Sequence, residues 1–303
     1  MAKKCDILVA GGGIAGLTAA LTAARLGRSV KVLTGDVLGG NLLSIEKIEG
    51  YPGFPDGVAG YELCPIAQGQ AADAGADFAM AEVTGIEAGE SGWTVTSLVE
   101  SYTAGAVIIG TGAGIRELNV PGAEALKGRG VSHCASCDAP LLKDKPVVVV
   151  GGGDSAAQEA LTLAEAASQV TIFCDGEALT AKAVYRDRIA AHAAIEVRYG
   201  ARVEKILGDD VVTGLTVNGT DVACDGVFVY IGLKPNTGFL EGLLELEPDG
   251  RVPVDGDLCT QLPGLFAAGS VRAGTAGQAT SAAGDGAAAA AAADAFLIGG
   301  PGA

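Results

Sequence analysis

With 303 residues, the chain is long enough for two ordinary domains, because single cores stop growing at roughly 250–300 residues. A formal charge of −16 without a cluster of lysine and arginine argues against nucleic acid and against an anionic membrane, since phosphate binding needs grouped cations. Apolar residues make up 49% and aromatics only 5%, with abundant Gly and Ala, a balance that suits helices packed closely on sheets and not a disordered chain.

The first stretch, "CDILVAGGGIAGLTAALTAARLGRSVKVLTGD", reads as strand, glycine turn, helix and strand, which is a βαβ unit. Its leader, "MAKKCDILVAGGG", superficially resembles a signal peptide, but the apolar run is too short and breaks into glycines. It is therefore a first strand. Gly11, Gly13 and Gly16 stand at the G-x-G-x-x-G spacing: the first permits the tight turn, the second lets backbone approach a pyrophosphate, the third lets helix and strand pack closely. The phosphate then meets free N–H groups at the helix start.

Further along, "IIGTGAGIRELNVPG" ends a strand in glycines and a Pro-Gly turn and marks a boundary. A second unit of the same kind follows, "KPVVVVGGGDSAAQEALTLAEAASQVTIFCDG", with Gly151, Gly153 and Ala156 at the fingerprint positions. One ligand cannot explain both turns. A flavin on one and a nicotinamide on the other is the natural division. "YIGLKPNTGF" marks the return boundary, and the tail gives a strand, a loop and a long helix. The alanine-rich part of that helix is too weakly hydrophobic to span a membrane, with Asp285 just before it and Asp294 within it; it reads as buried. The predicted fold class is α/β, two Rossmann-like three-layer nucleotide-binding domains with the second inserted in the first: 1–114, 115–240 and 241–303, the middle piece being the insert.

Before the second unit stands "HCASCD", residues 133–138. A structural zinc site needs four ligands, but no second C-x-x-C pair exists and the only other histidine is the isolated His192. A structural disulfide is improbable in a cytosolic setting. A redox-active pair of Cys134 and Cys137 is the better reading; if it opens a helix, the helix dipole lowers a thiol pKa. Asp138 reads equally as a proton donor and acceptor for the thiols or as a helix-start carboxylate. His133 is read as solvent-facing or hydrogen-bonded before it is read as tuning the sulfurs. The other cysteines, Cys5, Cys64, Cys174, Cys224 and Cys259, look like reduced, mostly buried small apolar residues.

These stretches, taken with "LTGDVLGGNL", "IEGYPGFP", "VPGAEALKGRGVSHCASCD", "IGLKPNT" and "GQATSAAGDG", resemble the low-molecular-weight thioredoxin reductases over nearly the whole chain. The resemblance implies a cytoplasmic homodimer with FAD. By position, Gly11, Gly13 and Gly16 would hold the FAD pyrophosphate, with Gly39, Gly40 and Asn41 near the flavin and Thr111 and Gly112 closing the pocket. Gly269 and Ser270 would contact the ribityl chain, and Gln278 and Ala279 would begin the helix that faces the flavin ring. Cys137 would lie nearest the flavin, Cys134 would attack the partner, and Asp138 would be the acid.

Three departures stand out. Ser270 replaces a usual aspartate, Gly277 and Asn41 replace a usual arginine and glutamine, and the basic "HRR" after the second strand of the nicotinamide domain reads Cys174, Asp175, Gly176, with Thr180 where a further arginine is usual. A 2′-phosphate needs bidentate cations, whereas an acidic strand end accepts hydrogen bonds from a ribose diol. Gly151, Gly153, Ser155 and Asp175 are therefore expected to hold NADH, with NADPH disfavoured. The leading expectation is a disulfide reductase acting on a thioredoxin-like protein, with Lys127 and Arg129 as docking cations or ordinary solvated charge. The alternatives are a dithiol oxidase using oxygen on a small dithiol or a protein, and a flavin reductase fed by ferredoxin or another non-nicotinamide donor.

Overall fold

The computed structural model describes residues 3–89 and 92–299. Its elements begin with β1 (Lys3–Ala10), α1 (Ile14–Arg25), β2 (Val30–Leu33), α2 (Gly60–Asp73), β3 (Asp77–Ala79), β4 (Val83–Gly89), β5 (Gly92–Ser97), β6 (Ser101–Ile109) and β7 (Ala113–Ile115). There follow β8 (Val131–Ser132), the short α3 (Ala135–Asp138), β9 (Pro146–Val150), α4 (Asp154–Leu163), β10 (Gln169–Phe173), α5 (Ala183–Ala190) and β11 (Ile195–Arg198). Next come β12 (Val203–Leu207), β13 (Gly214–Val217), β14 (Thr220–Ala223), β15 (Gly226–Val229), β16 (Leu233–Pro235), β17 (Leu265–Ala267) and α6 (Ala279–Gly299).

Two compact units result, the first running to Gly114 and again from Lys234, the second spanning Ile115–Leu233. Strands β7 and β16, which carry the two crossings, pair as a two-stranded ribbon. The return expected at residue 240 falls at Lys234. Leu240 gives the reason: it is fully buried among Val252, Leu265 and Ala267 in the first unit's core, so the "PNTGFL" segment belongs there.

In the first unit, parallel strands run in the order β3-β2-β1-β6-β17, and the antiparallel β4–β5 pair joins the start of β6. Alternate side chains go to opposite faces of a strand. Accordingly Ile7, Val9, Ala106 and Ile108 enter one core with Ala19, Ala23, Ala289 and Ala293 of α1 and α6. Leu8, Ala10, Val107 and Ile109 enter the other with Ile86, Trp93 and Val95. Because both faces are covered, the strands read as unbroken apolar runs.

Helix α6, expected to be buried, buries one face, including Ala282, Asp285, Gly286, Ala289 and Ala293. Among the described residues no helix is long and apolar enough to cross a membrane. Small residues let α6 approach α1 closely: a Cβ placed on Gly286 would lie 2.1 Å from the Ala15 carbonyl oxygen and 3.0 Å from the Ala19 nitrogen. Both neighbours are backbone and cannot swing aside. Gly286→Ala is expected to destabilise the protein by about 1–3 kcal/mol, read as a lower urea midpoint.

The second unit repeats the plan, with parallel strands in the order β11-β10-β9-β15-β8. Val147, Val149 and Ile172 pack on Ala156, Ala157 and Ala160 of α4. Val148, Val150 and Phe173 pack on Ile206, Leu215 and Val217 of the antiparallel β12–β13–β14 sheet.

Candidate functional site

The first glycine turn is built as its spacing requires. The Gly11 N–H donates to the Leu33 carbonyl at 2.7 Å, tying the turn to β2. Gly11 has φ +121°, and a Cβ there would lie 2.2 Å from the Gly110 oxygen; one on Gly16 would lie 2.0 Å from the Gly11 oxygen. At Gly13 nothing stands within 4 Å of a Cβ position. This residue is the N-cap of α1, no side chain caps it, and the first turn carries no acid. Free N–H groups facing open space beside a glycine suit a pyrophosphate, so the residues present fit FAD.

The other expected flavin contacts gather round that turn. The Gly39 N–H donates to the Gly12 carbonyl at 2.8 Å. A Cβ on Gly40 would lie 3.7 Å from the Gly13 Cα. Asn41 donates from Nδ2 to the Ala113 carbonyl at 2.7 Å. Thr111 Oγ1 donates to the Asn236 carbonyl and Asn236 Nδ2 donates back to the Thr111 carbonyl, each at 2.9 Å. Gly112 accepts the Asn236 N–H at 3.1 Å. Gly269 has φ +79°, and a Cβ there would sit 2.9 Å from the Ala15 Cβ and 3.6 Å from the Ala282 Cβ. Half-buried Ser270 follows it. The Gln278 carbonyl accepts the Ala282 N–H at 3.0 Å, and Ala279 is the first residue of α6.

Two residues of this region were not singled out from sequence as site residues. Asp285 accepts the Gly269 N–H at 3.0 Å and receives both arms of Arg272, at 2.7 Å from Nε and 2.8 Å from Nη2. This bidentate fork, beside a carboxylate only 9% exposed, fixes the turn that carries Gly269 and Ser270. It also holds the guanidinium further into its charged form than usual. The available signal was an acid at the head of an alanine-rich helix. Arg272→Ala strands that acid; an unfolding titration is expected to show a loss of about 3–5 kcal/mol.

In the second turn, the Gly151 N–H donates to the Phe173 carbonyl at 2.9 Å. A Cβ on Gly151 (φ +138°) would lie 2.1 Å from the Tyr230 oxygen, whereas one on Gly153 would meet only Thr180 Oγ1 at 3.9 Å. Gly153 is the uncapped N-cap of α4, and Ser155 is exposed on its first turn. Asp154 accepts the Lys182 N–H at 2.7 Å, and the Gly152 carbonyl accepts the Thr180 N–H at 2.8 Å, so residues 180–182 are laced to the turn. Asp175 stands exposed just past β10. The cations beside this strand end are engaged: Lys182 Nζ lies 3.4 Å from Asp154, and Arg198 makes two bonds to Glu196 at 2.9 and 3.2 Å.

Cys134 and Cys137 form a disulfide with their Cα atoms 5.3 Å apart. Cys134 is the N-cap of α3, so the cysteines do open a helix, though a single turn long. Ser132 Oγ accepts the Cys134 N–H at 3.0 Å, and the Cys134 carbonyl accepts the Asp138 N–H at 3.3 Å. Cys137 is exposed, while Cys134 and Asp138 are half-buried. The remaining five cysteines are free. Burial pushes the Cys5 and Cys64 thiols up to about 11 and Cys224 up to about 12, so these stay protonated and unreactive near neutrality.

His133 is half-buried. Its Nε2 is buried without a hydrogen-bond partner, 3.4 Å from a Glu117 oxygen, and burial lowers its pKa against the pull of that carboxylate. Lys127 is engaged by Glu117 at 2.6 Å, and Arg129 donates to the Ala125 carbonyl.

Against known proteins, residues 5–286 match the pyridine nucleotide-disulphide oxidoreductase family. The chain is 37% identical over 306 residues to the thioredoxin reductase of Treponema pallidum, covering 98% of each chain. It is 36% identical to the bifunctional thioredoxin reductase/thioredoxin of Mycobacterium leprae, covering 96% of this chain and 66% of that one. The crystal structure of Lactococcus lactis thioredoxin reductase superposes with a TM-score of 0.93 at 33% identity, covering 97% of this chain and 99% of that one.

Proposed function

The chain belongs to the pyridine nucleotide-disulphide oxidoreductases as an FAD-dependent disulfide oxidoreductase of the thioredoxin reductase kind, and from that premise we propose that it carries electrons from NADH to the disulfide of a thioredoxin-like protein. The observation that carries this reading is the Cys134–Cys137 bond, set in a unit that has a glycine turn before α4 and the acidic Asp175 just past β10. FAD, when bound, supplies the two-electron carrier between nicotinamide and sulfur.

The rest falls to residues of the chain. Gly11, Gly13 and Gly16, with the start of α1, bind the FAD pyrophosphate; Gly39, Gly40, Asn41, Thr111 and Gly112 line the flavin side; Gly269, Ser270, Gln278 and Ala279 complete it. Gly151, Gly153 and Ser155 receive the nicotinamide dinucleotide, and Asp175 accepts hydrogen bonds from its ribose diol. Once the pair is reduced, the Cys134 thiolate attacks the partner disulfide and releases one partner thiol. Cys137 then attacks the mixed disulfide, which restores the Cys134–Cys137 bond and frees the second thiol. Asp138 carries the proton that the Cys137 thiol loses.

The fused relative supports a thioredoxin as the partner. Five free thiols suit a reducing compartment such as the cytoplasm, and we read the working form as a homodimer. The test is anaerobic mixing with NADH and a thioredoxin disulfide. Loss of NADH matched mole for mole by reduced thioredoxin supports the reading. Bleaching of the flavin by a dithiol and by neither nicotinamide overturns it in favour of a dithiol oxidase, and bleaching by reduced ferredoxin alone favours a ferredoxin-fed reductase.

A further inference from the structure

The turn that carries the sulfurs is fastened to the rest of its unit by an unusual tie. Ala135, between the two cysteines, is fully buried, so its N–H needs a partner within the protein. That partner is no helix carbonyl but the hydroxyl of Tyr230, 95 positions along the chain, which accepts the Ala135 N–H at 3.1 Å. Tyr230 directly follows β15 and packs half-buried against the core formed by Ala135, Ala139, Ala156, Ala157 and Ala160. A phenol that accepts this N–H still carries its own hydrogen, and Glu159, on α4, lies near enough for its charge to act on it. Burial first, then the Glu159 charge, push the phenol well above its ordinary pKa, so it keeps its proton at every working pH.

We propose that Tyr230 is a positioning residue for the redox cysteines, its hydroxyl accepting the Ala135 N–H so that the Cys134–Cys137 turn is fastened to the end of β15. The inference rests on reading this pair as the redox pair. Reduction breaks the S–S bond and takes up two electrons and two protons to give two thiols; Tyr230 gains and loses nothing. Its part is to keep the sulfurs close when they are not bonded. A fastened turn presents each thiol to the other at high effective concentration, which favours the disulfide and lowers the potential of the couple.

The experiment equilibrates the full-length holoprotein in buffers of graded oxidised and reduced dithiothreitol, then alkylates free thiols and counts them at Cys134 and Cys137 by mass. Tyr230→Phe removes the acceptor for the Ala135 N–H. A tenfold fall in effective thiol concentration is expected, which raises the midpoint by about 30 mV for this two-electron couple. A wild-type pair that titrates while Tyr230→Phe keeps the same midpoint overturns the inference and leaves the redox pair standing. A wild-type pair that takes up no electrons across the whole range overturns the redox reading and the inference with it.

Discussion

Replacing Cys137 by Ser leaves a yellow protein that still takes up hydride from NADH yet turns over a thioredoxin disulfide slower by on the order of 10³-fold or more, since the displacing sulfur is gone. What remains is informative. Cys134 can still attack the partner, but no second thiol resolves the mixed disulfide, so a covalent adduct of the two proteins accumulates on a non-reducing gel. Cys134→Ser is equally inactive and forms no adduct. An adduct from Cys134→Ser and none from Cys137→Ser would exchange the two roles. The five other cysteines do not confuse the test, because burial raises the thiol pKa of Cys5, Cys64, Cys224 and Cys259, and Cys174 is only 3% exposed.

The second large effect concerns the donor. Asp175 is exposed where β10 ends, and the neighbouring Lys182 and Arg198 are each engaged by a carboxylate of their own. A dianionic 2′-phosphate placed there meets a negative charge and cations already occupied. A ribose diol meets an acceptor. Asp175→Ala is expected to lower kcat/KM for NADH by about 10- to 150-fold, the range for losing hydrogen bonds to a charged group at about 1.5–3 kcal/mol. Stopped-flow bleaching of the flavin gives the number. Wild-type protein that prefers NADPH, or an Asp175→Ala variant as fast with NADH as the parent, removes Asp175 from ribose recognition.

What could be read from sequence follows from how local each requirement is. Gly11, Gly16 and Gly151 are demanded by backbone atoms that a Cβ would strike at 2.2 Å or less, and a turn imposes that demand at fixed spacing. The cysteine pair, three positions apart, was equally visible. Partners far along the chain were not. Arg272 and Asp285 meet only because a loop and the head of α6 converge, and Tyr230 reaches Ala135 across 95 positions. His133 shows the same limit: the Glu117 carboxylate that lies 3.4 Å from its buried Nε2 stands far back along the chain, and nothing local announces it. The return boundary was placed late because Pro235, Asn236 and Gly238 are turn-like letters, while Asn236 and Thr237 bond into the first unit and Leu240 packs in its core.

The β7–β16 ribbon bears on how such a chain can be made at all. Seen from the first unit, all of Ile115–Leu233 is one long loop whose two ends are already zipped together. Closing a loop costs conformational entropy that grows only with the logarithm of its length, about 0.6 kcal/mol per doubling, and paired ends remove much of even that. The inserted piece is thus thermodynamically inexpensive to its host, whether it carries a nucleotide turn, a pair of sulfurs, or both, and either cargo could be remodelled with little disturbance to the host sheet.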